Sequence, residues 1–266
     1  MAITAASILI GAGLLTGNTA NAQEAKSVAF PDKFMIRLGA YYVDRANTGF
    51  TVLSSTTVAG VGISFGKDLG GDTTDSVARI DGYYRFNDRH RLEFGSFTVD
   101  RDGEKVNILI IGDEMLMGTI TSNIKYTITK VGYAYSFYHS PQVELSLAAG
   151  LNITDYDISY SDSFGSGDAH GVTVPLPLFG LHMTYAISPK WSVRYLSEAF
   201  FIDIEDTLKG TLLNSELSIE YKAFKNFAIG AGTTRVSTDF EIDDDDWQGS
   251  FNDSHRGYLV YGALYF

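Results

Sequence analysis

Cysteine is absent from this 266-residue chain, proline occurs 5 times and tryptophan twice. Without cysteine no disulfide or thiolate metal site can form, and the redox character of the compartment stays open. Beyond residue 22 no stretch approaches the ~18 consecutive apolar residues of a helical membrane span, which excludes that class. Bases are scarce as well: Lys and Arg number 20 against 32 Asp and Glu, a net charge of −12. A nucleic-acid partner needs concentrated positive charge, so that class is excluded too. Neither a phosphate-binding glycine loop nor a nucleophile elbow is found.

What is present is glycine and aromatic residues: Gly 27, Tyr 16 and Phe 17, with a mean hydropathy of zero. Aromatics suit a pleated surface and glycine suits bends and crowded walls, so the texture is that of short alternating strands in one domain. The stretch Arg256 to Phe266, RGYLVYGALYF, shows the pattern most clearly. Successive strand side chains point to opposite faces, so Tyr258, Val260, Gly262, Leu264 and Phe266 share one face. Leu259, Tyr261, Ala263 and Tyr265 share the other. Such a strand would aggregate unless its edges were paired and both faces covered. A closed barrel in a bilayer does both. The average hydropathy agrees, since only half of each such strand faces lipid.

Residues 1–22 read as a secretory signal: an apolar run from Ala2 to Leu15, then Ala20-Asn21-Ala22 ahead of a cleavage before Gln23. No Lys or Arg precedes the run. Residues 23–32 follow as a polar periplasmic arm, and 33–266 as the barrel. Four tight breaks, Asn87-Asp88-Arg89, Ser140-Pro141, Ser188-Pro189-Lys190 and Lys225-Asn226, each adjoin an aromatic-rich strand end. Short turns on one side, long loops on the other and an aromatic girdle form the barrel pattern. Four turns plus two termini on one side predict ten strands: 33–44, 77–87, 90–100, 122–138, 142–159, 171–187, 191–204, 210–222, 227–240 and 257–266. Two short pieces, 50–55 and 61–65, are placed in a hairpin above the bilayer or over the mouth. Using both in the wall gives a twelve-strand alternative, and eight strands is the other.

Charge tells which face looks inward, because Lys or Arg on the lipid face near the bilayer centre costs roughly 2 to 4 kcal/mol. By this test Arg37, Arg79, Asp81, Arg85, Arg91, Glu93, Lys130, Glu144, Arg194, Glu198, Glu216, Glu220 and Lys222 face the lumen, together with Tyr83 and His182. Bases and acids there nearly balance, which predicts cross-lumen ion pairs and not a single-sign filter. Ten strands also lie near the filled end of barrel sizes, which predicts a charged plug, with a narrow gated path as the alternative. The excess negative charge then belongs to long extracellular loops. Its densest run, Glu241 to Asp246 with Asp239 before and Asp253 beyond, is read as a solvated acidic loop. Pro175 and Pro177, two apart on the lipid-facing phase, predict a bulge or local opening, since each removes a ladder hydrogen bond.

The opening Phe34 to Ala40, the long first loop and the closing Gly257 to Phe266 resemble the small OmpA/OmpW-like outer-membrane barrels. The resemblance implies a Gram-negative outer membrane, lipid and lipopolysaccharide neighbours, and recognition of the C-terminal strand at Phe266 by barrel-assembly machinery. It also implies passage of small, often hydrophobic molecules. Ten-stranded barrels with tall walls look like the omptin surface proteases as well, which place an Asp-x-Asp and an Asp-x-His pair above the membrane. Asp168-Ala169-His170 has the second spacing; Asp100-Arg101-Asp102 or Asp155-Tyr156-Asp157 has the first. The expectation is nonetheless a non-enzymatic barrel, structural or a narrow channel, with no catalytic residue and no cofactor. His182 is expected to be a packed lumen residue, His90 and His139 lie at turns, and His255 lies beside the last loop, so no metal cluster is expected.

Overall fold

The computed structural model describes residues 32–53, 60–71, 74–111, 114–204, 208–243 and 248–266. The expected signal and nearly all of the arm lie outside the described residues, as do Asp244 to Asp246 of the acidic run. The elements are β1 (Phe34–Leu53), β2 (Gly60–Ser64), α1 (Phe65–Asp68), β3 (Asp75–Asn87), β4 (His90–Ile111), β5 (Glu114–His139), β6 (Val143–Asp162), β7 (Gly167–Ala186), β8 (Trp191–Ile204), β9 (Leu208–Phe224), β10 (Phe227–Asp243) and β11 (Gln248–Tyr265). From β3 onward each strand pairs with its sequence neighbour, and β1 pairs with both β3 and β11. That last pairing, from Met35 opposite Tyr265 to Val52 opposite Gly249, closes the cylinder. β2 lies alongside the upper end of β1, Gly49 to Leu53, so the wall itself has ten antiparallel strands.

Turn chemistry sets the narrow end. Asn87 Oδ1 accepts from the backbone N–H groups of Arg89 and His90, at 3.0 and 3.1 Å. Ser188 Oγ accepts likewise from Trp191 at 3.1 Å. Each is a local side-chain turn that lets the chain reverse within a few residues.

At the other end the strands run further than their alternation predicts. The β4–β5 ladder continues to Ile111 opposite Glu114, where a loop over residues 101–121 is expected. The β10–β11 ladder continues to Asp243 opposite Gln248, so Glu241 to Asp243 are strand and not loop. In this upper part charge occupies both phases, as in Asp100-Arg101-Asp102, so the alternation fades while the hydrogen bonds persist. β1 hides its upper half differently. A bulge between Val43 and Arg45 shifts the phase, so that Val43 and Ala46 are both buried. Strict alternation therefore breaks at Asp44, and the first expected piece, 50–55, is a continuation of β1 up to Leu53.

The outer surface carries an apolar belt. On β11 Tyr258, Val260 and Leu264 point out while Leu259, Tyr261, Ala263 and Tyr265 are buried. Exposed Arg256, opposite exposed Arg235 of β10, ends the belt on the loop side. One seam in the wall is incomplete. The β7–β8 ladder stops at Phe179 opposite Ala199, although β7 stays paired with β6 up to Gly167 and β8 with β9 up to Ile204. Pro175 and Pro177 stand just above that stop, on the outward phase, without the N–H a β8 neighbour would need. Leu176, Leu178, Phe200 and Leu212, with Val174, Ile202 and Phe240 beside them, close the seam from within by apolar packing.

Candidate functional site

The lumen is built in two storeys. In the lower one, nearest the short turns, residues from nearly every wall strand meet as ion pairs. Arg37 Nε donates to Asp81 Oδ2 at 2.5 Å and its Nη1 to Glu216 Oε1 at 2.9 Å. Arg79 bridges the same two acids, at 3.1 Å to Asp81 and 2.9 Å to Glu216. Across the lumen Arg85 grips Glu144 with both terminal nitrogens, at 2.9 and 3.0 Å, and Ser136 donates to the same carboxylate. Arg91 joins Glu144 to Glu93, at 2.7 and 2.8 Å. His182 sits between Glu93 and Glu198, at 3.1 and 3.3 Å, and Lys130 binds Glu198 while lying 3.8 Å from Glu93. Tyr265 donates to Glu220, Lys222 pairs with Asp32 at 3.1 Å, and Arg194 lines the chamber described below.

Glu93, His182 and Glu198 bring ligand-type atoms within 4.8 Å of one another, a grouping the sequence does not announce because the three lie on different strands. Lys130 already supplies positive charge there, and both ring nitrogens of His182 are engaged with carboxylates.

The upper storey is aromatic and capped. β2 and α1 fold across the mouth so that Phe65 and Leu69 are fully buried against the wall. Glycines permit the contact. A Cβ on Gly71 would lie 2.0 Å from the Phe65 ring, and Gly71 bridges to Gly103 of β4, backbone against backbone. Arg101 lies 5.3 Å from the centre of the Phe65 ring and donates to Thr48 Oγ1 at 2.6 Å. Thr48 in turn donates to Asp253 Oδ1 at 2.6 Å, and His255 Nδ1 lies 3.0 Å from Asp253 Oδ2. Two expectations are corrected here. Asp253 and His255 are buried lumen residues within β11 and not part of the last loop, because β11 begins at Gln248. Arg101 is buried inside the wall, while Asp100 and Asp102 point outward onto Asn123 at 2.6 and 2.9 Å.

Between the storeys lies a chamber of about 130 Å³. Its lining includes Tyr41, Phe97, Tyr126, Tyr156, Asp253 and His255 above, the ion-pair residues below, and Leu178 and Leu212 of the seam at one side. The Tyr41 hydroxyl and His255 Nε2 are buried without a hydrogen-bond partner among the described residues.

Neither Asp-x-Asp candidate faces the lumen. Asp155 and Asp157 are exposed on the outward phase, as are Asp100 and Asp102. Asp168 and His170 stand on β7 opposite Tyr160 and Ile158 of β6. A second Asp-x-His spacing, Asp253-Ser254-His255, does form a hydrogen-bonded pair, and only the burial of both residues sets it apart from other acid–histidine neighbours in the sequence.

No protein-family model matches the sequence, and no curated protein matches it either. Among solved structures, the outer membrane protease OmpT from Escherichia coli aligns with a TM-score of 0.59 at 11% identity, over 89% of this chain and 98% of that one. OprG from Pseudomonas aeruginosa aligns at 0.40 and 12% identity, over 88% and 96%. The P. putida toluene transporter TodX aligns at 0.36 and 10%, over 90% and 91%. The fold is that of outer-membrane barrels: all-β, closed, antiparallel and ten-stranded.

Proposed function

We propose that this chain is a non-enzymatic barrel of a Gram-negative outer membrane that takes a small, largely apolar solute into its upper chamber through the β7–β8 seam. In this reading residues 1–22 are a cleaved secretory signal and 23–32 a periplasmic arm. Lipid and lipopolysaccharide surround the apolar belt, and the assembly machinery reads the last strand at Phe266. The lower ion-pair storey acts as a plug, since its members contact one another across the lumen and leave no row of like charge to conduct an ion.

The observation that carries the reading is the seam. The ladder ends at Phe179 and Ala199, the strands above it are joined by Leu176, Leu178, Phe200 and Leu212, and Leu178 and Leu212 also line the chamber. Exposed Phe179, Phe201 and Leu213 at the foot of the seam support its lying at lipid depth. Apolar packing has no directional bonds to re-form, so it parts more readily than a strand ladder. Hydrolysis has the Asp253–His255 pair in its favour. That pair lies under Phe65 and Leu69, however, and both Asp-x-Asp candidates face away from it.

Because the native chain has Cys 0, a single Val236→Cys reports on the chamber it lines. Neutral N-ethylmaleimide is expected to label it at least ~10 times faster than a charged thiosulfonate of similar size, since a bare charge crosses an apolar seam poorly. Pro175→Val with Pro177→Val, which restores two backbone donors, is expected to slow the neutral reagent by a similar factor. Equal rates for the two reagents, or no slowing in the valine background, would overturn entry through the seam.

A further inference from the structure

The chamber's chemistry narrows what it takes. We infer that the upper lumen is a binding site for a single-ring aromatic alcohol of the phenol class, whose hydroxyl is held by His255 Nε2 and Tyr41. The inference rests on the chamber being a solute site, as proposed above, and adds the identity of the solute.

Size comes first. A cavity of roughly 150 Å³ lined by apolar side chains holds one benzene ring. The chamber here is about 130 Å³. Shape and surface come second. Tyr41 stands edge-on to Phe97 with ring centres 6.3 Å apart, and Tyr126 packs against Tyr156 at 5.6 Å. The His255 ring lies between the two pairs, 6.0 Å from Tyr41 and 6.4 Å from Tyr126. Walls of this kind favour a flat aromatic guest through offset and edge-to-face contacts.

Polarity comes third, and it separates a phenol from a plain hydrocarbon. Asp253 is held on one oxygen by Thr48 and on the other by His255, and Arg101 lies 3.7 Å from it. That arrangement directs the Nδ1 proton of His255 at Asp253. In the neutral ring a proton on Nδ1, directed at Asp253, leaves the lone pair of Nε2 for a guest in the chamber. Nε2 and the Tyr41 hydroxyl are both more than nine-tenths buried, both line the chamber, and neither has a partner among the described residues. A buried polar atom left unpaired is costly, and a guest that satisfies two of them gains that cost back on binding. A hydroxyl that donates to Nε2 and accepts from Tyr41 meets both requirements; toluene, of the same size, meets neither.

The test is a calorimetric titration of the purified full chain in detergent with phenol and, separately, toluene. Phenol is expected to bind one per chain and roughly 10-fold more tightly than toluene. His255→Phe keeps a ring and removes the acceptor, and Tyr41→Phe removes the hydroxyl; each is expected to bring phenol down to the toluene affinity. Folding of each variant is checked by the gel mobility of the unheated barrel, and Tyr41→Phe decides alone if His255→Phe does not fold. Equal affinity for phenol and toluene in the native chain overturns the inference, as does a phenol preference unchanged in the variants that fold. Bound water alone filling the two polar atoms would give the first of these results. The labelling of Val236→Cys does not depend on phenol, so loss of the seam and loss of the phenol site are read separately.

Discussion

Glu144 shows what a single lumen side chain does. It is almost wholly buried and accepts from Arg85, Arg91 and Ser136 at once. A buried ion pair is weak evidence of stability, because desolvation offsets attraction, but removing one partner strands the other. Glu144→Ala leaves two guanidinium groups facing each other in the plug. We expect a loss of about 3 to 5 kcal/mol in denaturant unfolding from lipid vesicles, against a much smaller loss for an exposed acid such as Asp155. A measured loss under about 1 kcal/mol would mean that water reaches Arg85 and Arg91 freely. The inward position of Glu144 was legible from its neighbours, since Val143, Leu145 and Leu147 suit lipid and Glu144 does not. Its bidentate partner was not, because Arg85 stands on a strand two hairpins away and nothing local links them.

At the scale of the element, the two prolines of β7 gave the best local forecast. Proline removes a donor wherever it falls, so an opening near Pro175 and Pro177 followed from chemistry alone. Which neighbour lost its bonds did not follow: β6 stays paired along that stretch and β8 does not. Replacing both prolines with valine is expected to extend the β7–β8 ladder. Amide exchange at Phe200 to Ile204 should then slow by at least ~10-fold, a change readable by mass spectrometry. No change there would mean that the side chains of Leu176 and Phe200, and not the missing donors, hold the strands apart. The upper strands taught the opposite lesson, since ladders such as Asp100 opposite Lys125 continue where the alternation along the strand has faded.

For the whole molecule the decisive contrast is between a plug and a pore. Barrels of about eight strands fill with side chains and open channels appear at about 16. Ten strands leave room for a chamber only where side chains stop short of one another, which here is between the ion pairs and the aromatic cap. The native barrel is expected to show no discrete openings in planar bilayers. Removing Arg37 and Arg79 together, as alanines, should produce small anion-disfavouring steps, because Asp81 and Glu216 would then lose the two arginines that pair with them. Steady conductance in the native chain would contradict a closed lower storey.

Alternation of oil and charge along each strand, together with four short turns, was enough to predict a closed antiparallel barrel of ten strands, because the two faces of a barrel wall meet different surroundings and each residue reports on one of them. The tertiary structure alone decided which ions meet, that Asp253, His255 and Arg101 are buried within the barrel, and that Phe65 packs beside Arg101. Those outcomes depend on the stagger between strands and on one bulge in β1, and neither leaves a mark in the spacing of residues along a single strand.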